Sequence, residues 1–294
     1  MTSARLGVAP VERAPGPLPG AEGAVIATDA GPTFVRSIGS GTPVVVFHGG
    51  PGFDHAYLVE PLASLTRRRQ LVFYDQAGCG RTPTPATGVS LEGTIAQARA
   101  LLRMVAASGD GRVGVVAHSW GALVLVAAYA ERNGGGDAGD GCGLPALAEG
   151  ALINPVALTR KEWDIAFQRL LSRASPQRIA DFTRRLAEGD GPGAMDEAMP
   201  IYTRSGYARE PRSFPLNAAT YLAVTTSLGD FDYRAGAGAV KHLTLINGSD
   251  DFTGPELLAP LVSQSAKVLH PPAGHFPFFE APAKFAALID GVFA

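Results

Sequence analysis

The sequence predicts an α/β fold: a mostly parallel central sheet with helices on both faces and a helical segment inserted late in the chain. Three observations carry this. Short apolar runs at Pro43–Phe47, Leu71–Tyr74 and Val113–Ala117 have no polar face, as strands covered on both sides must be. Helical periodicity separates them, with Ile95, Ala98, Leu101, Leu102 and Val105 at spacings of three and four over 93–107. Most runs end in glycine-rich or polar loops, the signature of strand exits in an open α/β sheet.

With 294 residues the chain can hold one large domain with an insertion. We read 1–24 as an extended lead-in, 25–154 and 230–294 as the core, and 155–229 as a helical cap. Val25–Thr28 and Thr33–Ile38, separated by Asp29-Ala-Gly-Pro32, read as an opening hairpin. A helix over 55–66 leads to the strand at Leu71, and the helix over 93–107 leads to the strand at Val113. A further apolar helix spans 121–132. The run 133–143 is too rich in glycine to order itself and reads as a surface loop. Strands are expected at Gly150–Asn154, His242–Asn247 and Ala266–His270, with a final helix over 282–293. In the cap, Trp163, Phe167, Leu170, Ile179, Phe182 and Leu186 keep helical spacing, and Pro176, Pro192, Pro200, Pro211 and Pro215 divide it into short helices. Its mixed charges, Arg160, Arg184 and Arg185 against Asp164, Asp181 and Glu188 among them, read as a solvated face.

A net charge of −2 and a pI near 6.3 give no electrostatic reason to expect nucleic acid or an anionic membrane. No apolar run approaches the length of a membrane span, and the first residues lack the basic start and apolar stretch of a signal peptide. Two cysteines, Cys79 and Cys142, cannot make a disulfide framework and have no metal-ligand spacing. Reduced thiols in a cytoplasm fit best, with Cys79 packing rather than reacting. Neither a metal nor another cofactor is expected, because no ligand cluster, phosphate loop or dinucleotide fingerprint is present. The expected partner is a small-molecule or short-peptide substrate; the sequence assigns no oligomeric state.

The chemistry centres on Val113-Gly-Val-Val-Ala-His-Ser-Trp-Gly121. A strand that turns sharply into a helix at Ser119 brings strand and helix together, so the residues two before and two after must be small, as Ala117 and Gly121 are. The turn exposes the hydroxyl of Ser119 and leaves the N–H of Trp120 at the positive end of a helix. His48-Gly-Gly-Pro-Gly52 follows another buried strand directly, and its glycines can turn backbone N–H groups toward a bound atom. Gly50, or Gly49, with Trp120 could then stabilise a developing oxyanion; such a donor is worth roughly 100- to 1,000-fold in rate. His48 and Gly49 are also placed against substrate, with His48 bracing the loop.

A serine hydroxyl needs a base. Of the six histidines, only His275 follows a late strand in a Gly-His-Phe-Pro loop. His118 should point away around the turn, and His55, His242 and His270 read as surface or strand-end residues. For the acid, Gly248-Ser-Asp-Asp251 places Asp251 at a strand exit, with Asp250 as the alternative.

His48-Gly-Gly-Pro-Gly52, Asp75-Gln-Ala-Gly-Cys-Gly-Arg-Thr82, His118-Ser-Trp-Gly121, Gly248-Ser-Asp-Asp251 and Gly274-His-Phe-Pro-Phe-Phe-Glu280 resemble, in order, the proline iminopeptidase branch of the α/β-hydrolase fold. The resemblance runs from about residue 25 to the C-terminus. It implies Ser119 as nucleophile, His275 as base, Asp251 as acid, and Gly50 with Trp120 as oxyanion donors. The chain departs from that pattern at Ala77, where the family more often has Arg, and at Ala117 and Ala122, where it more often has Gly. The family's cap acids, which hold the free amine of an N-terminal proline, have no match in context among Glu162, Glu188, Glu197 and Glu210.

The function this supports is a serine hydrolase cleaving an amide or ester of a small molecule or short peptide, with an aminopeptidase as the leading version. A carboxylesterase or lactonase, or an acyl-transferring biosynthetic enzyme, would use the same groups. A non-catalytic ligand-binding protein on the same fold is the alternative of another class. Dehalogenase and epoxide hydrolase chemistries need a carboxylate where Ser119 stands.

Overall fold

The computed structural model describes residues 18–130, 143–207 and 214–294. Most of the lead-in (1–17), most of the glycine-rich run (131–142) and residues 208–213, with Glu210 and Pro211, lie outside the described residues.

Alternation of side chains along the strands builds the layers. Val45, Phe47, Val72, Tyr74, Val115 and Ala117 pack into one apolar cluster, while Val44, Val46, Leu71, Phe73 and Val116 pack into another. Both faces are therefore buried, which is why these runs carry no polar positions. The strands are β1 (Ala24–Thr28), β2 (Gly31–Gly39), β3 (Thr42–Phe47), β4 (Arg69–Tyr74), β5 (Val113–His118), β6 (Leu147–Ile153), β7 (Thr244–Ile246) and β8 (Lys267–Leu269). They form one sheet in the order β1-β2-β4-β3-β5-β6-β7-β8. The opening hairpin β1–β2 is antiparallel, as is β2 against β4; every later pairing is parallel.

Between β3 and β4 lies α1 (Ala56–Val59), followed by a 3-10 turn at Ala63–Arg67. The single helix expected over 55–66 is thus split in two. Helix α2 (Leu91–Ala107) is capped by the Ser90 side chain, which accepts from Gly93 N–H, and α3 (Trp120–Ala130) is buried along most of its length. Among the described residues, four helices fall within 155–229: α4 (Arg160–Leu171), α5 (Pro176–Ala187), α6 (Gly191–Tyr202) and α7 (Ala218–Ser227). Thr159, Ser175, Asp190 and Asn217 cap them, and Pro176 and Pro192 sit in first turns, where no N–H is missed. Pro200 differs from expectation: it lies inside α6, where neighbouring Ala198, Met199 and Ile201 are buried and hold the last turn in place. Helices α8 (Ala259–Gln264), α9 (Pro277–Glu280) and α10 (Pro282–Val292) complete the chain. Among the described residues no helix is long and apolar enough to cross a membrane.

The strand order positions the site. From β3 the chain moves outward to β4, then returns through α2 to pair β5 on the opposite side of β3. Loops leaving β3 and β5 therefore diverge at a crevice between neighbouring strands, where open α/β sheets take their ligands. Because β3 through β8 are parallel, the exits of β6, β7 and β8 reach the same edge.

Candidate active site

Ser119 stands between β5 and α3 with φ of 54°, a left-handed conformation for a residue with a side chain. Such a conformation costs on the order of 1–3 kcal/mol and persists only where surrounding structure enforces it. Ser119 N–H donates to the Ile153 carbonyl at 2.9 Å, anchoring the turn to β6. The turn also needs close approach: a Cβ on Gly121 would lie 2.6 Å from the Phe47 carbonyl oxygen and 2.5 Å from that of His48. Both are backbone atoms that cannot swing aside. Gly121→Ala is expected to destabilise the protein by about 1–3 kcal/mol in urea unfolding; a change below a few tenths would show that α3 can shift freely.

The His275 ring is all but buried and faces both expected partners. Ser119 Oγ lies 2.8 Å from His275 Nε2, and His275 Nδ1 lies 2.7 Å from Asp251 Oδ2. The structure thus brings together Ser119, Asp251 and His275 from three separate strand exits. Of the two neighbouring acids, Asp251 is the one that faces the ring. Asp250 is exposed, with its N–H donating to Ala273, while Asp251 is turned inward. Besides the ring, Asp251 accepts from Thr253 N–H at 2.7 Å on Oδ1 and from Asn154 Nδ2 on Oδ2. Three N–H donors around one carboxylate satisfy it and hold it aligned with the imidazole edge.

Two buried polar residues in this assembly escaped sequence reasoning. Asn154 was read as a strand end; it has φ of 43°, and its Nδ2 also donates to the Gly274 carbonyl at 3.0 Å, tying acid to base loop. The signal was available in a polar residue closing the run Ala-Leu-Ile-Asn154. Glu280 accepts from the backbone N–H groups of Gly274, Phe276 and Arg204 at 2.9, 3.1 and 2.8 Å, so one carboxylate clamps the loop that carries His275.

The two expected oxyanion donors sit at the start of α3 and in the loop beside Ser119. Trp120 is the first residue of α3, where N–H groups have no partner within the helix. Gly50, with φ of 132°, lines the cavity beside Ser119. His48 and Gly49, expected against substrate, are placed otherwise. The His48 ring is wholly buried; Nδ1 donates to the Gly49 carbonyl at 2.7 Å, and Nε2 accepts from Gln76 N–H at 3.0 Å. Burial holds this imidazole below its ordinary pKa, against the nearby Asp75 charge, so it serves as a neutral brace. Gly49 N–H is taken by Tyr57 Oη.

Gln76 extends the brace. Its Nε2 donates to the His48 carbonyl at 2.8 Å and its Oε1 accepts from the Trp120 indole at 3.0 Å, so the loop after β4 ties the β3 exit to the start of α3. His55 is not the surface residue expected. It is buried and pairs through Nδ1 with Asp75 Oδ1 at 2.7 Å. Although burial pushes the other way, hydrogen bonds from His55 and from Arg81 N–H hold Asp75 below the usual carboxylate range. His242 and His270 are exposed, and burial raises the Cys79 thiol to about 12, so it packs as a neutral group.

Over Ser119 lies a cavity of about 240 Å³, roughly eight waters' share of liquid volume. Its lining combines Gly50 and Pro51 with Trp163 and Phe167 of α4, Tyr202, Tyr221 and Phe252. Arg160 and Asp164 also line it, paired at 2.9 Å between Nε and Oδ1. These two cap charges border the cavity while staying solvent-exposed, as expected of the set, and Arg184 and Glu188 likewise pair on the exposed surface. Among the described residues, none of Glu162, Glu188 and Glu197, considered for amine recognition, lines this cavity. Glu162 accepts from Thr159, Glu188 from Arg184, Glu197 from Arg178, and Glu210 lies outside the described residues.

The sequence model described as "Alpha/beta hydrolase family" matches residues 44–288. A proline iminopeptidase of Levilactobacillus brevis is 25% identical over 275 residues, covering 84% of this chain and 86% of that one. Among solved structures, that of VinJ superposes with a TM-score of 0.69 at 20% identity, covering 92% of this chain and 98% of its own. An esterase from Exiguobacterium antarcticum superposes at 0.65 with 17% identity, covering 92% and 100%.

Proposed function

This chain belongs to the α/β-hydrolase family, and on that premise we propose that it is a serine hydrolase that cleaves an amide or ester bond of a small molecule or short peptide through an acyl-enzyme on Ser119. The observation that carries the reading is the continuous hydrogen-bonded line from Ser119 Oγ through the His275 ring to Asp251.

In this reading His275 Nε2 takes the hydroxyl proton as Ser119 Oγ bonds to the carbonyl carbon, and the carbonyl electron pair moves onto oxygen. The N–H groups of Gly50 and Trp120 receive that charge. Collapse of the intermediate breaks the bond to the leaving group, which departs with the proton from His275. Water, deprotonated by the same ring, then releases the acid. Asp251 stays ionised throughout, holding the ring's orientation and stabilising its charged form.

The likeness to a proline iminopeptidase supports amide cleavage next to a small N-terminal residue. The aromatic lining of the cavity supports a second reading, an esterase or lactonase acting on a compact apolar acyl group, since Asp164, the one carboxylate among the described lining residues, is already paired with Arg160. A panel of amino-acid naphthylamides beside p-nitrophenyl esters separates the two. Turnover of prolyl naphthylamide favours the first; cleavage of esters alone removes the peptidase reading. A protein that reacts with neither and resists a fluorophosphonate would end both.

A further inference from the structure

Behind the reacting groups runs a partly buried line of hydrogen bonds that no step above uses. Gly49 N–H donates to Tyr57 Oη at 2.6 Å, Tyr57 lies 2.7 Å from His118 Nδ1, and His118 Nε2 lies 3.0 Å from the His275 carbonyl. Chemistry fixes the direction of each bond. A carbonyl only accepts, so His118 carries its proton on Nε2; Nδ1 is then a lone pair that takes the Tyr57 proton; and the Tyr57 oxygen is left to accept from Gly49. Burial, with the neighbouring His275 acting in the same sense, holds His118 well below the ordinary imidazole pKa, and burial pushes the Tyr57 phenol up. Both groups stay neutral with their protons in place, and bonds aligned head to tail reinforce one another.

Three members of this line adjoin the proposed chemistry. Gly49 precedes Gly50, His118 precedes Ser119, and the terminal carbonyl belongs to His275 itself. These three segments leave three different strands, and the β3–β5 ladder ends at Phe47 and Ala117, so the line joins the residues just beyond the sheet. We infer that Tyr57 and His118 are positioning residues, a strut that holds the oxyanion loop, the nucleophile and the base in one register; the inference rests on the serine hydrolase reading. By consuming the Gly49 N–H, Tyr57 also selects Gly50 as the loop's donor. The fit allows little slack: a Cβ on Gly49 would lie 2.9 Å from His118 Nδ1, 3.0 Å from Tyr57 Oη and 3.3 Å from Ser119 Cβ. Packing does not need the hydroxyl, because the Tyr57 ring already sits among Phe53, Phe214 and Phe278.

Tyr57→Phe keeps those ring contacts and removes one oxygen. With whichever ester or naphthylamide the wild-type protein turns over, kcat is expected to fall about 10- to 100-fold, since displacement of a reacting group or oxyanion donor acts on the transition state. KM should stay within about threefold and the midpoint of the kinetic pH profile should not move. His118→Asn should behave alike, and the double variant should lose no more than the worse single, because both break the same line. Unchanged kcat in Tyr57→Phe overturns the strut, as does a double variant whose losses multiply. Melting curves showing both single variants unfolded would make the line a folding feature and overturn the positioning role. Wild-type protein that neither turns over substrate nor reacts with a fluorophosphonate overturns the hydrolase reading instead, whereas a labelled wild type with an unaffected Tyr57→Phe overturns the strut alone.

Discussion

Ser119→Ala is expected to abolish covalent labelling by a fluorophosphonate and to lower turnover by on the order of a million-fold, the loss seen when a serine nucleophile and its base act as one unit. The size follows from the geometry. His275 Nε2 has one hydrogen-bond partner in the reacting direction, Ser119 Oγ at 2.8 Å, and the alanine leaves the base with nothing to deprotonate. The fold should survive, because the strained backbone at this position is held by Ile153 and by the close packing of Gly121, neither of which involves the hydroxyl. Intact-mass measurement after labelling, with a thermal melt of the same sample, checks both halves. A labelled Ser119→Ala protein would move the nucleophile elsewhere.

Asp251→Asn tests the other end of the line, and a loss of about 10,000-fold in kcat is expected with little change in fold. Three N–H donors converge on this carboxylate, from His275, Asn154 and Thr253. An amide offers one oxygen where the carboxylate offers two, so its NH₂ group must face a donor. If it faces His275, the ring moves its proton to Nε2 and presents an N–H to Ser119, the wrong tautomer for a base. Asp250→Asn on the exposed neighbour is expected to leave kcat within about twofold, as surface changes remote from substrate do. Steady-state kinetics of the pair decide the matter: a silent Asp251→Asn beside a dead Asp250→Asn would reverse the assignment.

Much of this molecule was legible in the sequence because its signals are local. An apolar run without a polar face must be covered on both sides, which settled β3, β4 and β5. A small residue on each side of Ser119 is a steric requirement of the turn, and Gly121 meets it within sight of the Phe47 and His48 carbonyls. The late Gly-His loop and the acid pair at a strand exit were likewise visible as spacing. Long-range partnerships left fainter traces. Asn154 reads as a polar strand end until it meets Asp251 and Gly274, and Glu280 as one acid in an aromatic motif until its carboxylate gathers three backbone N–H groups. His55 resembled a surface residue because nothing near it in sequence reveals Asp75, twenty positions on. The charges of 160–190 read as solvated, and Arg160 and Asp164 are indeed exposed, but helical periodicity does not show that this pair also borders the cavity.

By itself, then, the amino-acid order determined the α/β architecture, the candidate nucleophile and base, and a preference between two adjacent acids, since each depends on propensity, spacing or the size of a neighbour. Only tertiary structure decided that Asp251 faces the imidazole, that Gly49 spends its N–H on Tyr57, and that His48 is a brace. These pairings join separate elements 8 to 28 residues apart in the chain, and which of them meet is set by how strands and loops pack, which no local pattern encodes.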